Sequence, residues 1–203
     1  MTDLGVVIFN SKWKIESPSP FCLKLLAWLE MAKIPYKTEQ PKAAPKSKTG
    51  KAPYIILEDG TFIDDSQRCI EFLEKKHSIG MDDFLTPQQN AQSLAFRRLL
   101  EDHFYFLLIY QRWVKDFDKV KDAYFGVLPP VVRSIVPVIA KSGVTKSVYL
   151  QGTGKRSWSE IVAEAQYNID ALSDFLGEKD FFFTSASSLD AVAFGFLENS
   201  TFQ

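Results

Sequence analysis

The stretch "PYIILEDGTFIDDSQRCIEFLE", residues 53–74, decides the fold because two strands and a helix follow one another in it. The run "PYIIL" (53–57) is apolar and β-branched, which is typical of a buried strand. Asp59-Gly60 predicts a hairpin, since glycine adopts a positive φ at low cost, and "TFID" is the returning strand. From Ser66 a helix is predicted, because apolar residues recur on one face at helical spacing: Cys69, Ile70 and Leu73.

A strand, a helix and a second strand precede this hairpin. The run "VVIF" (6–9) predicts a buried strand. Ser19 stands where a helix N-cap belongs, and Pro20 suits the first helical position because its missing N–H would have no partner there. That helix is predicted to end at Ile34-Pro35, and "PYKTE" predicts the second strand, followed by a lysine-rich loop over 41–51. The order β-α-β, loop, β-β-α is the thioredoxin-like pattern.

The second half of the chain predicts helices only. No strand-like alternation persists after residue 80. Helices are predicted to begin at Thr86-Pro87, at "SWSE" (157–160) and at "SSLD" (187–190). Between 127 and 140, three prolines predict short, interrupted helices. We therefore expect an α/β thioredoxin-like N-terminal domain over 1–78 and an all-α C-terminal domain over 86–203.

The composition favours a soluble cytoplasmic protein. The net charge of −1 and the pI near 6.2 do not suggest a nucleic-acid partner. Two cysteines cannot form a disulfide framework and indicate free thiols in a reducing compartment. The N-terminus lacks the features of a signal peptide, and the most apolar window, "FYFLLIY" (104–110), is too short to be an integral membrane segment. His77 and His103 lack metal-ligand spacing, so no metal is expected.

Four motifs occur in the order known from one superfamily: "SPSPFC" (17–22), "KAPYI" (51–55), "DDSQRCIEFLE" (64–74) and "SSLDAVAFGFL" (187–197). Together they resemble the glutathione transferase superfamily. Two longer segments, "SPFCLKLLAWLEMAKIPYK" and "FFFTSASSLDAVAFGFL", resemble the branch that contains failed axon connections proteins, metaxins and their bacterial relatives. In that superfamily the helical domain continues beyond the last of these motifs, whereas this sequence ends at Gln203, so we expect a trimmed or divergent C-terminus.

The resemblance implies a role for Ser19 in catalysis. A serine hydroxyl at a helix N-terminus can donate a hydrogen bond to the thiolate of glutathione and so favour its ionised form. The alternative is that Ser19 only caps the helix. Cys22 is a second candidate for the catalytic group, and its alternative is a small buried core thiol, as we also expect for Cys69.

The resemblance also implies a glutathione-binding set on the following segments. It implies a cis bond between Ala52 and Pro53 that lets the Ala52 backbone pair with the tripeptide, although a trans proline opening a strand is the ordinary alternative. It implies that Asp65 and Ser66 hold the γ-glutamyl group, where a simple helix cap is again the alternative. Lys51 would attract the glycyl carboxylate.

These inferences lead to two main hypotheses. The first is a glutathione transferase that binds glutathione as co-substrate and transfers it, as thiolate, to a small apolar electrophile. The second is a non-catalytic interaction protein of the metaxin and failed axon connections type on the same scaffold. Thiol redox chemistry through Cys22 is a third, weaker hypothesis. The resemblance also implies a homodimer, since proteins with this fold commonly form one.

Overall fold

The structure is a computed structural model that describes residues 4–9, 13–41, 47–126 and 128–201. By packing, the chain divides into two compact units. The first comprises Met1–Ser93 together with Lys179–Gln203, and the second comprises Leu94–Glu178.

A four-stranded sheet forms the centre of the first unit. Its strands are β1 (Leu4–Val7), β2 (Tyr36–Glu39), β3 (Tyr54–Ile56) and β4 (Phe62–Asp64), in the spatial order β2-β1-β3-β4. Strand β1 pairs with β2 in parallel and with β3 antiparallel, and β3 pairs with β4 antiparallel. The parallel βαβ unit followed by an antiparallel hairpin and a helix confirms the predicted thioredoxin-like fold.

Local sequence rules account for the two helices that flank this sheet. Helix α1 (Pro20–Met31) begins at the predicted Ser19 cap with proline at its first position. Helix α2 (Ser66–His77) follows the hairpin, in which Gly60 has a φ of 80°. The core between helices and sheet is apolar, and its fully buried members include Val6, Leu25, Trp28, Leu29 and Ile55.

A helix from the end of the chain, α8 (Ser188–Thr201), belongs to the first unit and packs on α1. The predicted Ser-x-x-acid start is present: the Asp190 carboxylate accepts hydrogen bonds from the Ser187 N–H at 2.8 Å and the Ser187 hydroxyl at 2.7 Å. Where the two helices cross, a side chain on Gly195 would lie 2.6 Å from the backbone of α1. The sequence division at 78 and 86 stays a prediction, and packing groups α8 with the N-terminal strands.

The second unit is helical, as predicted. Helix α3 (Pro87–Arg98), which Thr86 caps, leads into this unit. The helical chain continues through two π-helical segments, Leu99–Phe104 and Gln111–Lys115, which lie on either side of the apolar helix α4 (Tyr105–Tyr110). The remaining segments are α5 (Phe117–Phe125), α6 (Pro130–Gln151), a 3₁₀ turn (Thr153–Lys155) and α7 (Trp158–Leu176).

The prediction of short helices between 127 and 140 was wrong for the residues that the structure describes there. Helix α6 runs without interruption over 22 residues and contains Pro137 in its interior. Pro130 is favourable because it occupies the first turn, where its missing N–H has no intrahelical partner. Pro137 removes one hydrogen bond, and its buried position gives it packing contacts that offset part of that cost.

Candidate functional site

The strand register places the candidate segments at one end of the sheet. Val7 of β1 lies opposite Tyr54 of β3, which in turn lies opposite Asp64 of β4. Pro53 directly precedes this row and Asp65 directly follows it. The chain that leaves β1 after Val7 leads to the start of α1, and the backbone of Phe9 on this segment hydrogen-bonds the Cys22 thiol in the first turn. The loop before α1, the start of β3 and the start of α2 therefore share one edge.

Ser19 caps α1 at this edge. Its backbone is extended, with φ −101° and ψ 120°, and its Oγ accepts a hydrogen bond from the Cys22 N–H at 3.4 Å. Its own N–H donates to the Oγ of Ser17 at 3.3 Å. The residue is half-buried, so part of its surface reaches solvent. The predicted capping role is confirmed, and the catalytic role stays a prediction.

The two cysteines are core residues, as expected. Cys22 is fully buried, and burial raises the pKa of its thiol despite hydrogen bonds from Ser19, Phe9 and Ser17. Cys69 donates from Sγ to the carbonyl of Ile63 at 3.1 Å, and burial raises its pKa to about 12. A thiolate is the reactive form of cysteine, so these environments disfavour Cys22 as a nucleophile.

The start of β3 carries the cis bond that the resemblance implied, between the buried residues Ala52 and Pro53. The preceding turn is held by Ser47, whose Oγ accepts from the Lys51 N–H at 2.9 Å and donates to the Lys51 carbonyl at 2.7 Å. Lys51 is exposed at this turn. Residues 42–46 of the predicted lysine-rich loop lie outside the described residues.

Asp65 and Ser66 begin α2. The Asp65 carboxylate accepts from the N–H groups of Gln67 at 2.9 Å and Arg68 at 3.3 Å, so the predicted cap is present. Its backbone has φ 75°, which a residue with a side chain rarely adopts, and such local strain is often found at functional sites. Ser66 is 2% exposed. Their contact with glutathione stays a prediction.

Sequence analysis missed three polar residues that support this edge. The buried Asp64 accepts from the Thr49 N–H at 3.2 Å and so ties the turn before β3 to β4. Asn199 of α8 donates to the Ser17 carbonyl at 3.4 Å, next to the start of α1. Lys24 of α1 is fully buried. Two of them left a signal in the sequence: Asp64 opens the motif "DDSQRCIEFLE", and Lys24 is the one charge within the apolar run "FCLKLLAWL".

A groove on the first unit lies away from these residues. It is an open groove of about 1320 Å³ between the C-terminal half of α1 and strand β2, and Glu30, Lys33 and Tyr36 help to line it. None of the predicted site residues lines it. Among the residues that the structure describes, no cluster of three metal-ligating side chains is present. Within the same described ranges, no helix is both long and apolar enough to cross a bilayer.

The fold is thioredoxin-like, and one edge of its sheet carries the starts of α1 and α2 together with the cis bond between Ala52 and Pro53. Residues 20–118 match the family described as glutathione S-transferase N-terminal domain, and residues 165–203 match the glutathione S-transferase C-terminal domain. A solved glutathione S-transferase from Methylobacterium radiotolerans, in complex with glutathione sulfonate, has a similar fold, with a TM-score of 0.61 at 13% identity over 98% of this chain and 79% of that one.

The sequence relatives include a named glutathione S-transferase and proteins whose names describe no enzyme. An isoprene-epoxide glutathione S-transferase from Rhodococcus sp. (strain AD45) is 35% identical over 92% of this chain and 82% of its own length. Failed axon connections of Drosophila melanogaster is 32% identical, and metaxin-1 of Mus musculus is 26% identical. These two alignments cover 90% and 93% of this chain but only 46% and 62% of the relatives. The chain belongs to the glutathione S-transferase family, in the predicted branch.

Proposed function

We propose that the protein binds glutathione at the edge described above and transfers it to a small apolar electrophile. The proposal rests on the strand register, in which Val7, Tyr54 and Asp64 lie side by side on β1, β3 and β4. This register brings the starts of α1, β3 and α2 to one end of the sheet. Each of these starts offers backbone or side-chain groups that suit a different part of an anionic tripeptide.

The proposed division of roles follows from chemistry. The N–H groups at the start of α2 favour a carboxylate, so Ser66 receives the γ-glutamyl carboxylate while Asp65 faces its ammonium group. The backbone of Ala52 pairs with the cysteinyl backbone of glutathione in the manner of an added strand. Lys51, exposed beside it, attracts the glycyl carboxylate. These contacts place the sulfur of glutathione near Ser19.

Ser19 then promotes ionisation of that sulfur. A free thiol has a pKa of about 8.5, and only the thiolate is a good nucleophile. The Ser19 hydroxyl rotates its proton toward the sulfur and, with the positive end of α1, stabilises the thiolate. Ser19 forms no covalent bond. Its oxygen keeps accepting from the Cys22 N–H, so capping and thiolate stabilisation use the same side chain.

The electrophile that we propose is a small epoxide, because the relative with 35% identity carries an isoprene-epoxide activity in its name. The thiolate attacks a ring carbon, a C–S bond forms, the C–O bond breaks, and the resulting alkoxide takes a proton from water. Ring opening therefore needs a thiolate and an apolar environment for the hydrocarbon, with no redox partner.

The test combines glutathione binding with the ionisation of the bound thiol. Calorimetric titration should show binding at millimolar glutathione or below, and ultraviolet titration of the thiolate should give a bound-thiol pKa below about 8.5. In Ser19→Ala we expect this pKa to rise and kcat/KM for an epoxide to fall by about 100-fold, the loss typical of removing one hydrogen-bond donor to a charged reacting atom.

The matched control is Ser157→Ala. Ser157 caps α7 in the second unit, and its Oγ accepts a hydrogen bond from the Glu160 N–H at 3.3 Å. The corresponding distance at the Ser19 cap is 3.4 Å. Its loss should lower stability by about 1 kcal/mol and leave the pKa of bound glutathione unchanged. Full activity of Ser19→Ala together with an inactive Cys22→Ala would move the catalytic role to the cysteine.

A second function, as a non-catalytic interaction protein, is favoured by the similarity to failed axon connections and metaxin-1. The two functions differ in one measurement. No heat of binding at several millimolar glutathione, from a protein that is folded by circular dichroism, would refute the transferase and leave the interaction protein. Cytoplasmic location and homodimer formation remain proposals of the same kind, and sedimentation tests the latter.

A further inference from the structure

Lys24 is a cation in the apolar interior of the first unit. Its relative exposure is 0%, and it lies in α1 between the buried residues Leu23 and Leu25. Lysine is among the residues least often buried completely, because its ammonium group loses its hydration there. An apolar side chain of similar length would fill the same space without that loss. The position therefore calls for a reason other than packing.

The Lys24 ammonium group points to the first turn of α2. Its Nζ donates a hydrogen bond to Oε1 of Gln67 at 2.8 Å. Gln67 directly follows Ser66, and its backbone N–H is held by the Asp65 carboxylate at 2.9 Å. The other end of the Gln67 amide, Nε2, donates to Oε1 of Glu71 at 3.2 Å. These two hydrogen bonds fix the Gln67 side chain between Lys24 on α1 and Glu71 on α2.

The charge of Lys24 has the same sign as the helix terminus beside it. The unpaired N–H groups at the start of α2 already carry partial positive charge and attract anions. A buried cation next to this turn adds to that potential, and burial weakens screening by water and salt. Both contributions act on any carboxylate placed at Ser66.

We propose that Lys24 is a positioning residue for glutathione, an inference that rests on the proposed function. It acts through Gln67: it fixes the first turn of α2, and its charge strengthens the hold of that turn on the γ-glutamyl carboxylate. Lys24 does not contact the tripeptide. Ligand binding thereby gives the buried Lys24 a role beyond its packing in α1.

The experiment compares Lys24→Met with the wild type using two ligands. One is glutathione, and the other is 4-aminobutyryl-cysteinyl-glycine, which lacks only the γ-glutamyl carboxylate. For glutathione, Lys24→Met should raise the calorimetric Kd about tenfold, equivalent to about 1.4 kcal/mol. For the analogue the two proteins should bind equally well. Circular dichroism checks that Lys24→Met is folded before the Kd values are compared, because the substitution leaves Gln67 Oε1 without its Lys24 donor.

Two further variants keep the test decisive. Lys75→Met removes an exposed lysine from the last turn of α2 and should leave both Kd values unchanged. Lys24→Gln keeps a hydrogen-bond donor for Gln67 but removes the positive charge, so it should weaken glutathione selectively even if Lys24→Met fails to fold. Equal losses for the two ligands, or no loss for either, would overturn the proposal. A wild type that binds no glutathione would overturn the proposed function together with this inference, whereas normal glutathione binding by both variants would overturn the inference alone.

Discussion

Replacing Gly195 by alanine should destabilise the protein, although alanine is the better helix former. Gly195 lies on α8 where it crosses α1, and an added Cβ would be 2.6 Å from the Lys24 nitrogen, 2.6 Å from the Pro20 carbonyl oxygen and 3.0 Å from the Lys24 Cα. All three atoms belong to backbone, so no side chain can turn away. The helices must separate by roughly 0.8 Å to restore an ordinary contact of 3.4 Å.

The expected magnitude is the difference between two effects. Overpacking of a well-packed interface costs about 1–3 kcal/mol, and a clash between two backbones belongs at the upper end. Alanine gains about 1 kcal/mol over glycine in a helix interior. The net loss in the free energy of unfolding is therefore about 2 kcal/mol, which corresponds to a fall in melting temperature of about 4–8 °C for a chain of this size.

Gly143 supplies the control because the same substitution has no clash there. It lies inside α6, and an added Cβ would have no neighbour within 4 Å. Gly143→Ala should therefore raise the melting temperature by about 2–4 °C. Thermal unfolding followed by circular dichroism gives both values. If Gly195→Ala is as stable as the wild type, or shifts in the same direction as Gly143→Ala, the close helix crossing is refuted.

Three further predictions concern buried polar groups. Both thiols should resist Ellman's reagent in the native protein at about pH 8 and react when it is unfolded, since burial raises the pKa of Cys22 and Cys69. As the pH rises above 9, the Cys69 thiol ionises in the unfolded chain before it does so in the folded protein, whose Cys69 pKa is about 12. The free energy of unfolding should therefore be unaffected by this thiol below pH 9 and fall by about 1.4 kcal/mol per pH unit between pH 9 and pH 12. Urea titrations of Cys69→Ala should show a smaller fall over the same range. Asp64→Asn should lower the free energy of unfolding by about 1 kcal/mol, since the Thr49 N–H keeps only a neutral acceptor and Arg68 loses a charged partner, and an unchanged urea midpoint would contradict that.

Local rules predicted much of the fold and the helix starts. The Ser19 cap, proline at the first position of α1, the Asp59-Gly60 hairpin and the capping box at Ser157 each depend on a few neighbouring residues, so sequence alone contains them. The cis bond at Ala52 was different. Residue preference favours trans, and only the resemblance to a family pointed to cis.

Features that depend on distant contacts were missed or wrongly predicted. Pro137 lies within a long helix although its local effect is to interrupt one. The burial of Lys24 depends on α2 and α8 packing around α1, and the need for glycine at position 195 depends on an approach between helices far apart in sequence. Asp64 lay next to a predicted pair, but its bond to Thr49 required the register of β3 with β4.

The packing of α8 on α1 has a consequence for how the protein is made. Asn199 and Ser17 are hydrogen-bonded across 182 positions of sequence. On the ribosome, the N-terminal strands and helices emerge long before the residues that cover α1. The nascent polypeptide therefore carries an incomplete thioredoxin-like layer, with the part of the α1 surface that α8 covers still exposed, until the residues of α8 have been translated.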